Sequence, residues 1–462
     1  MKKVHVVVME TSQPQQKLHH PQNEDEEEDD EEEDESEEGE GEKKEETHIQ
    51  PGRVKGGKTQ TSDSSSESDI EDGQSKEERL YDRAKRRIEK RRQKNLRNIN
   101  MNQPRAPVVC VLGHLDTGKT KLLDKLRHTR VQDGEVGGMT QHIGATNVPL
   151  EAIIELTKMV NNFGKENIKI PGMVIIDTPG HKSFSNLRNR GSYLCDIGIL
   201  VVDIMHGLES QTLESIILLR EKKRPFIVAL NKVIDRLYDW KEGPEEDVLA
   251  TLKKQKKNTQ DEFEERVKAI MLEFAQKGLN SVLFHENKDP RTFVSLVPTS
   301  AHSGDGIGNL IATVVELTQT MMARRLAHSD ELRAHVMEVK ALQGMGTTID
   351  VILTNGRLRE GETIIVPGVD GPIVTQIRGL LLPPPLKELR VKNQYEKHKE
   401  LSMAQGVKIL GKDLEKTLAG LPLLVANKED EVPVLRDELV RVQEQKPVLD
   451  NKRLAAWHNL FA

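Results

Sequence analysis

The chain has 462 residues, 31% of them charged and only 3% aromatic, which predicts two or three domains with part of the chain lacking a core. The charge is uneven: residues 1–75 carry 24 acids and 8 bases, a net of −16, and the whole chain stands at −7, so the remainder is basic by +9 and suits a polyanion such as RNA. Two cysteines, Cys110 and Cys195, exclude a disulfide framework, and no apolar run reaches membrane-spanning length, so a reducing, cytoplasmic setting without a membrane partner is expected.

Glu24 to Glu35 is an unbroken acidic run that can bury nothing, so residues 1–75 are read as a disordered acidic leader. Ser64 and Ser66 stand beside acids and resemble acidophilic kinase sites as much as an unmodified polar tail. Residues 76–100 read as a basic helical linker. Lys76 to Arg97 is helix-permissive, but Leu80, Ile88 and Leu96 give it little to pack with. It is either a solvated helix or an arm on RNA phosphates.

From Pro107 apolar strands alternate with amphipathic helices. Strands are predicted at Val108–Leu112, Met173–Ile176, Ile199–Val202, Phe226–Leu230 and Phe293–Val297. Helices are predicted at Lys119–Arg127, Ser183–Tyr193, Gln211–Arg220, Asp261–Gln276 and Gly308–Met321. This is an α/β domain over 101–330 with a mostly parallel sheet, whose ligand belongs at the C-terminal ends of the strands. Asp239 to Asp261 reads as a charged surface excursion. Over 331–430 the runs are short and alternating (Val336–Val339, Thr348–Leu353, Glu362–Val366, Ile373–Ile377, Leu421–Val425), which predicts a small antiparallel β-barrel. Pro383 to Pro385 make a corner, and Lys387–Glu400 a protruding loop. Residues 431–462 are a weakly patterned tail.

Gly113-His114-Leu115-Asp116-Thr117-Gly118-Lys119-Thr120 has the form G-x-x-x-x-G-K-[ST] between a strand and a helix, the context of a phosphate-binding loop. Backbone N–H groups cradle phosphates there, Lys119 reaches the β- and γ-phosphates, and the Thr120 hydroxyl takes magnesium. Asp177-Thr178-Pro179-Gly180-His181 ends the next predicted strand. Asp177 would serve the same magnesium, the Gly180 N–H would meet the γ-phosphate, and His181 would orient an attacking water. Thr140, after Gly137-Gly138-Met139, would complete the magnesium shell when a γ-phosphate is present. Asn231-Lys232-Val233-Ile234-Asp235 approaches the guanine-reading form Asn-Lys-x-Asp with one residue too many. The loop is expected to bulge at Val233 or Ile234 and return Asp235 to the base. Ser300-Ala301-His302 completes a base-binding edge. Asn427-Lys428-Glu429-Asp430 has the right spacing but lies far from the phosphate loop and is set aside.

Together these five stretches resemble the signatures of translational GTPases. Gln141 to Thr146, Asn186 to Gly191 and Leu380 to Arg390 resemble the initiation-factor branch related to bacterial initiation factor 2, and the likeness runs from about Ala84 to Leu439. The resemblance implies a magnesium-dependent GTPase with bound GTP or GDP. It implies a second domain that contacts the small ribosomal subunit and rRNA, other initiation factors as partners, a monomer, and promotion of subunit joining. Catalysis would fall to His181, Lys119 and Thr140. Asp116 matches a residue that holds a monovalent cation, K+ or Na+. The family continues into two further domains after the barrel, so the match ending near Leu439 reads as a truncation. The alternative is a non-catalytic ribosome-binding fragment with impaired guanine selection.

Overall fold

A computed structural model describes residues 75–445 except 136–138, 234–236, 238, 244–246, 343 and 390–394. The acidic leader lies outside the described residues.

A seven-stranded sheet runs in the order Gly144–Pro149, Gly172–Asp177, Val108–Gly113, Ile197–Asp203, Phe226–Asn231, Phe293–Pro298, Asn280–Leu283. Only the first pair is antiparallel. Val108–Gly113 is buried at all six positions because helices cover both faces. Its side chains alternate between two cores. Cys110 and Leu112 join Phe263, Ile270 and Phe274 of helix Lys257–Gln276, while Val109 and Val111 join Leu122, Leu126 and the helix Ile307–Met321. The parallel register sets Gly113, Asp177, Asp203 and Asn231, each the last residue of its strand, along one edge of the sheet.

The predicted strands and helices are present, most extended by a residue or two. The helix predicted from Ser183 is a 3-10 turn, Lys182–Phe184, followed by Ser185–Leu194. Three expectations change. Residues 239–261 are no mere surface excursion: they hold the helix Val248–Lys253, Trp240 and Thr251 are buried, and the Asp247 carboxylate accepts from the Asn161 N–H. The helix Lys76–Arg97, opened by a Ser75–Glu78 capping box, does find partners. Ala84 and Ile88 are buried with Ile365, Leu435 and Leu439, the last two on a helix over residues 432–445 within the unassigned tail. Arg87 and Arg91 pair with the fully buried Glu431, and Arg92 with Glu438. A sparse apolar stripe suffices because these ion pairs flank it.

The third change concerns the second domain. Eight antiparallel strands follow one another from Ile373–Gln376 at one edge to Glu396–His398 at the other, curled over a core of Val336, Val351, Ile364, Val407 and Leu423. The sheet forms a half-barrel, in keeping with the small antiparallel β-barrel expected there. Residues 386–389 do not protrude, and 390–394 of the expected loop lie outside the described residues. The Leu386 and Leu389 N–H groups donate to Asn147 and Ala145 carbonyls at the sheet's antiparallel edge, and Leu389 enters the α/β core with Met337 and Ile352. Arg127 and Glu388, both buried, pair at 3.1 Å behind it. The polar composition of that segment hid one apolar anchor and one buried charge pair.

Candidate functional site: a phosphate-binding loop at the sheet edge

The loop between Gly113 and the helix Lys119–Arg127 turns back through Asp116 (φ +58°) and Gly118 (φ +87°). Gly118 is required there twice over: the conformation is left-handed, and a Cβ would stand 2.5 Å from Asn231 Nδ2. Thr117 Oγ1 donates to the His114 carbonyl at 3.0 Å, and Lys119 Nζ donates to the same carbonyl. Burial lowers the Lys119 ammonium pKa to about 8. Burial likewise lowers the pKa of His114, whose Nε2 lies 3.4 Å from Glu209.

Beneath the loop three oxygen donors converge. Thr120 Oγ1 lies 2.5 Å from Thr140 Oγ1 and 3.2 Å from Asp177 Oδ2, and Thr140 also donates to Glu135 at 2.9 Å. Hydroxyls and a carboxylate are the hard ligands magnesium takes alongside phosphate oxygens, so Thr120, Thr140 and Asp177 fit that ion. Among the described residues no group of three His, Cys, Asp or Glu side chains could hold a metal by itself. Leu115, Asp116, Gly118, Lys119, Thr120, Thr140, Gly180 and His181 line a common cavity of ≈ 300 Å³. His181 is exposed, and its Nδ1 is occupied by the Ser183 hydroxyl at 2.7 Å.

On the far side the structure separates the roles of Asn231 and Lys232. Asn231 is fully buried. Its Nδ2 donates to the Thr117 carbonyl at 2.7 Å and its Oδ1 accepts from the Ala301 N–H at 2.9 Å, so it ties the phosphate loop to Ser300-Ala301-His302. Ser300 Oγ in turn accepts from the His302 and Ser303 N–H groups at 3.2 Å, closing that turn. Lys232 Nζ pairs with Asp203 at 2.9 Å. Burial raises the Asp203 pKa, but bonds from Lys232, the Met205 N–H and His206 outweigh it and hold the carboxyl below its usual range. Val233 is 1% exposed in the α/β core, so it is not the residue that bulges outward. Asp235 and Ile234 lie outside the described residues. A wider cleft of ≈ 830 Å³ opens beside Ala301, His302 and Ser303, with Lys121, Lys125, His128 and Arg130 on its other wall.

Two participants escaped the sequence reading. Arg188, fully buried, donates to the carbonyls of Pro179, Gly180 and His181. Asp124 accepts from Thr129 Oγ1 and from the Val131 and Gln132 N–H groups, anchoring the segment that leads to Thr140. The available signal for Arg188 was a lone cation on the same helical face as Gly191 and Ser192.

Residues 104–320 match the elongation factor Tu GTP binding domain. Eukaryotic translation initiation factor 5B of Homo sapiens is 77% identical over 382 residues, which is 83% of this chain and 31% of that protein. The factor of Saccharomyces cerevisiae is 54% identical over 341 residues, 74% of this chain and 34% of that protein. This chain thus spans about a third of the length of these relatives, 31% and 34%. The crystal structure of GDP-bound aIF5B from Aeropyrum pernix superposes with a TM-score of 0.66 at 40% identity, covering 74% of this chain and 57% of that one.

Proposed function

Residues 104–320 belong to the elongation factor Tu GTP-binding domain family, in a chain related to eukaryotic translation initiation factor 5B, and from that premise we propose that the chain binds GTP and hydrolyses it to GDP and phosphate on the ribosome during translation initiation, promoting subunit joining. The observation that carries this reading is the convergence of Thr120, Thr140 and Asp177 beside the buried Lys119 in one cavity. The related factor from Aeropyrum pernix is GDP-bound, which supports the nucleotide assignment.

In this reading the loop amides and Lys119 hold the β- and γ-phosphates. Lys119 releases the His114 carbonyl for them, and phosphate charge favours the protonated form of the lysine, opposing the effect of burial. Thr120, Thr140 and Asp177 would hold magnesium, which would supply charge neutralisation to the phosphates. Asp116, at the cavity wall, is assigned a monovalent cation by the resemblance alone. His181 uses Nε2 to orient water, since Nδ1 is held by Ser183. The purine lies toward Ala301, with the ribose in the basic cleft beside it, and Asp235 selects guanine.

A titration of GTP against ATP with the chain and its Lys119→Ala variant tests this. Tight GTP binding lost in the variant is the expected result. Wild-type GTP affinity in Lys119→Ala overturns the phosphate site. Because Val233 belongs to the core, the informative deletion is Ile234, which restores Asn-Lys-Val-Asp. A modest gain in GTP affinity fits a loop that already presents Asp235. A thousandfold gain means that the chain as written does not select guanine.

A further inference from the structure

Arg188 is among the largest side chains with no exposure to solvent, and it belongs to no recognised nucleotide-binding motif. It sits on the helix Ser185–Leu194, immediately after the turn that carries Gly180 and His181. Its Nη1 donates to three consecutive carbonyls, Pro179 at 3.1 Å, Gly180 at 3.3 Å and His181 at 2.7 Å. Its Nη2 is held at 2.7 Å by Glu214, on the helix Ser210–Glu221. Burying a guanidinium is costly unless it is engaged; here Nε has no hydrogen-bond partner among the described residues, and the engagement of Nη1 is concentrated on one Pro–Gly turn.

The peptide plane explains what this does. The Pro179 carbonyl and the Gly180 N–H belong to one planar unit and point in opposite directions. Holding the carbonyl on Arg188 turns the N–H to the other side. Gly180 abuts the phosphate loop: a Cβ built on it would lie 2.5 Å from Lys119 Nζ, 3.0 Å from the His114 carbonyl oxygen and 3.1 Å from Leu115 Cα. A glycine peptide has the freedom to rotate, so its orientation needs an external restraint.

We propose that Arg188 is a positioning residue for nucleotide discrimination: by gripping the Pro179, Gly180 and His181 carbonyls, with Glu214 fixing its guanidinium, it aims the Gly180 N–H at the γ-phosphate and so favours GTP over GDP. This rests on the GTP reading above. It differs from a purely structural role in a measurable way. A structural role affects both nucleotides alike. Loss of an amide aimed at the γ-phosphate affects only the nucleotide that has one.

The test measures dissociation constants for fluorescent GDP and for a fluorescent non-hydrolysable GTP analogue, with magnesium, on the chain, Arg188→Lys, Arg188→Met and Glu214→Gln, below each variant's melting temperature. Arg188→Met is expected to lose roughly 10- to 150-fold in affinity for the GTP analogue, the worth of one hydrogen bond to a charged group, with GDP affinity within about twofold. Arg188→Lys, which keeps the charge but has a single nitrogen and so cannot hold the carbonyls and Glu214 at once, should show a smaller loss of the same sign. If Arg188→Met fails to fold, Arg188→Lys and Glu214→Gln decide: a GTP-selective loss in either supports the assignment. A GTP-to-GDP preference within twofold of the parent in both variants overturns it while leaving the GTP reading intact. A parent chain that binds neither nucleotide overturns both.

Discussion

Replacing Asn231 by alanine separates the scaffold of the site from its chemistry. Asn231 is fully buried at the end of the strand Phe226–Asn231 and is bonded on both sides, to the Thr117 carbonyl at 2.7 Å and the Ala301 N–H at 2.9 Å. Alanine leaves one buried acceptor and one buried donor without partners. Each costs about 1–3 kcal/mol, so the closed arrangement loses about 2–6 kcal/mol. Without nucleotide the two loops relieve part of that by opening to water. With nucleotide they must close, so part of the loss appears as weaker binding. If about 2.7 kcal/mol of it falls there, affinity drops by about 10²-fold. GTP and GDP should weaken together, because neither bond of Asn231 reaches toward the γ-phosphate side of the cavity. Asn231→Asp keeps the acceptor for Ala301 but sets a carboxylate against the Thr117 carbonyl, and should bind no better than the alanine variant. The assay is paired titration of GTP and GDP, with denaturant unfolding of the apo forms. Affinities within twofold of the parent for Asn231→Ala, in a preparation where Lys119→Ala has lost binding, would refute the claim that this side chain ties the loops together.

Other consequences follow from single contacts. His181→Ala should lower ribosome-stimulated hydrolysis by about 10²–10⁴-fold with GTP affinity little changed, because a water-orienting group acts in the transition state; unchanged single-turnover rates would remove it from the mechanism. Lys119 gives a pH signature. Its folded pKa, lowered by burial to about 8 from the ordinary 10.5, means that the apo fold is penalised for carrying the charge at pH below 8 and gains stability as pH rises from about 8 toward 10.5. Binding phosphates needs the protonated form, so GTP affinity should fall as pH rises above about 8, and Lys119→Arg should flatten that fall; a parallel slope in the arginine variant would contradict it. Ile88→Ala should destabilise the chain by about 2–4 kcal/mol in denaturant unfolding, since the residue is 3% exposed against Leu435 and Leu439. A change below about 0.5 kcal/mol would restore the solvated-helix reading.

Sequence by itself determined the parts whose requirements are local. A glycine is needed where the phosphate loop turns left-handed at Gly118, and a lysine and a hydroxyl must follow it, so Gly113 to Thr120 was legible before any fold was known. The helix Lys119–Arg127 had its predicted limits because its apolar spacing and its caps, Gly118 and His128, are all local in the chain. Continuous apolar runs gave the strands that end at Asp177 and Asn231, which are buried at nearly every position. What only the tertiary structure decided depends on partners far apart in the chain. Asn231 acts by reaching residues 114 positions before it and 70 after it, which no spacing rule encodes. The helix Lys76–Arg97 looked solvated because the acids that meet its arginines lie more than 200 residues away. Glu388 and Leu389 read as loop because a polar stretch carries no sign that a neighbouring sheet offers it a free edge. Arg188 shares a helical face with Gly191 and Ser192, but the three carbonyls that give it a task converge only when the Pro–Gly turn folds back over the helix that follows it. Backbone curvature is written residue by residue; the meeting of a side chain with a distant carbonyl is set by how the layers pack.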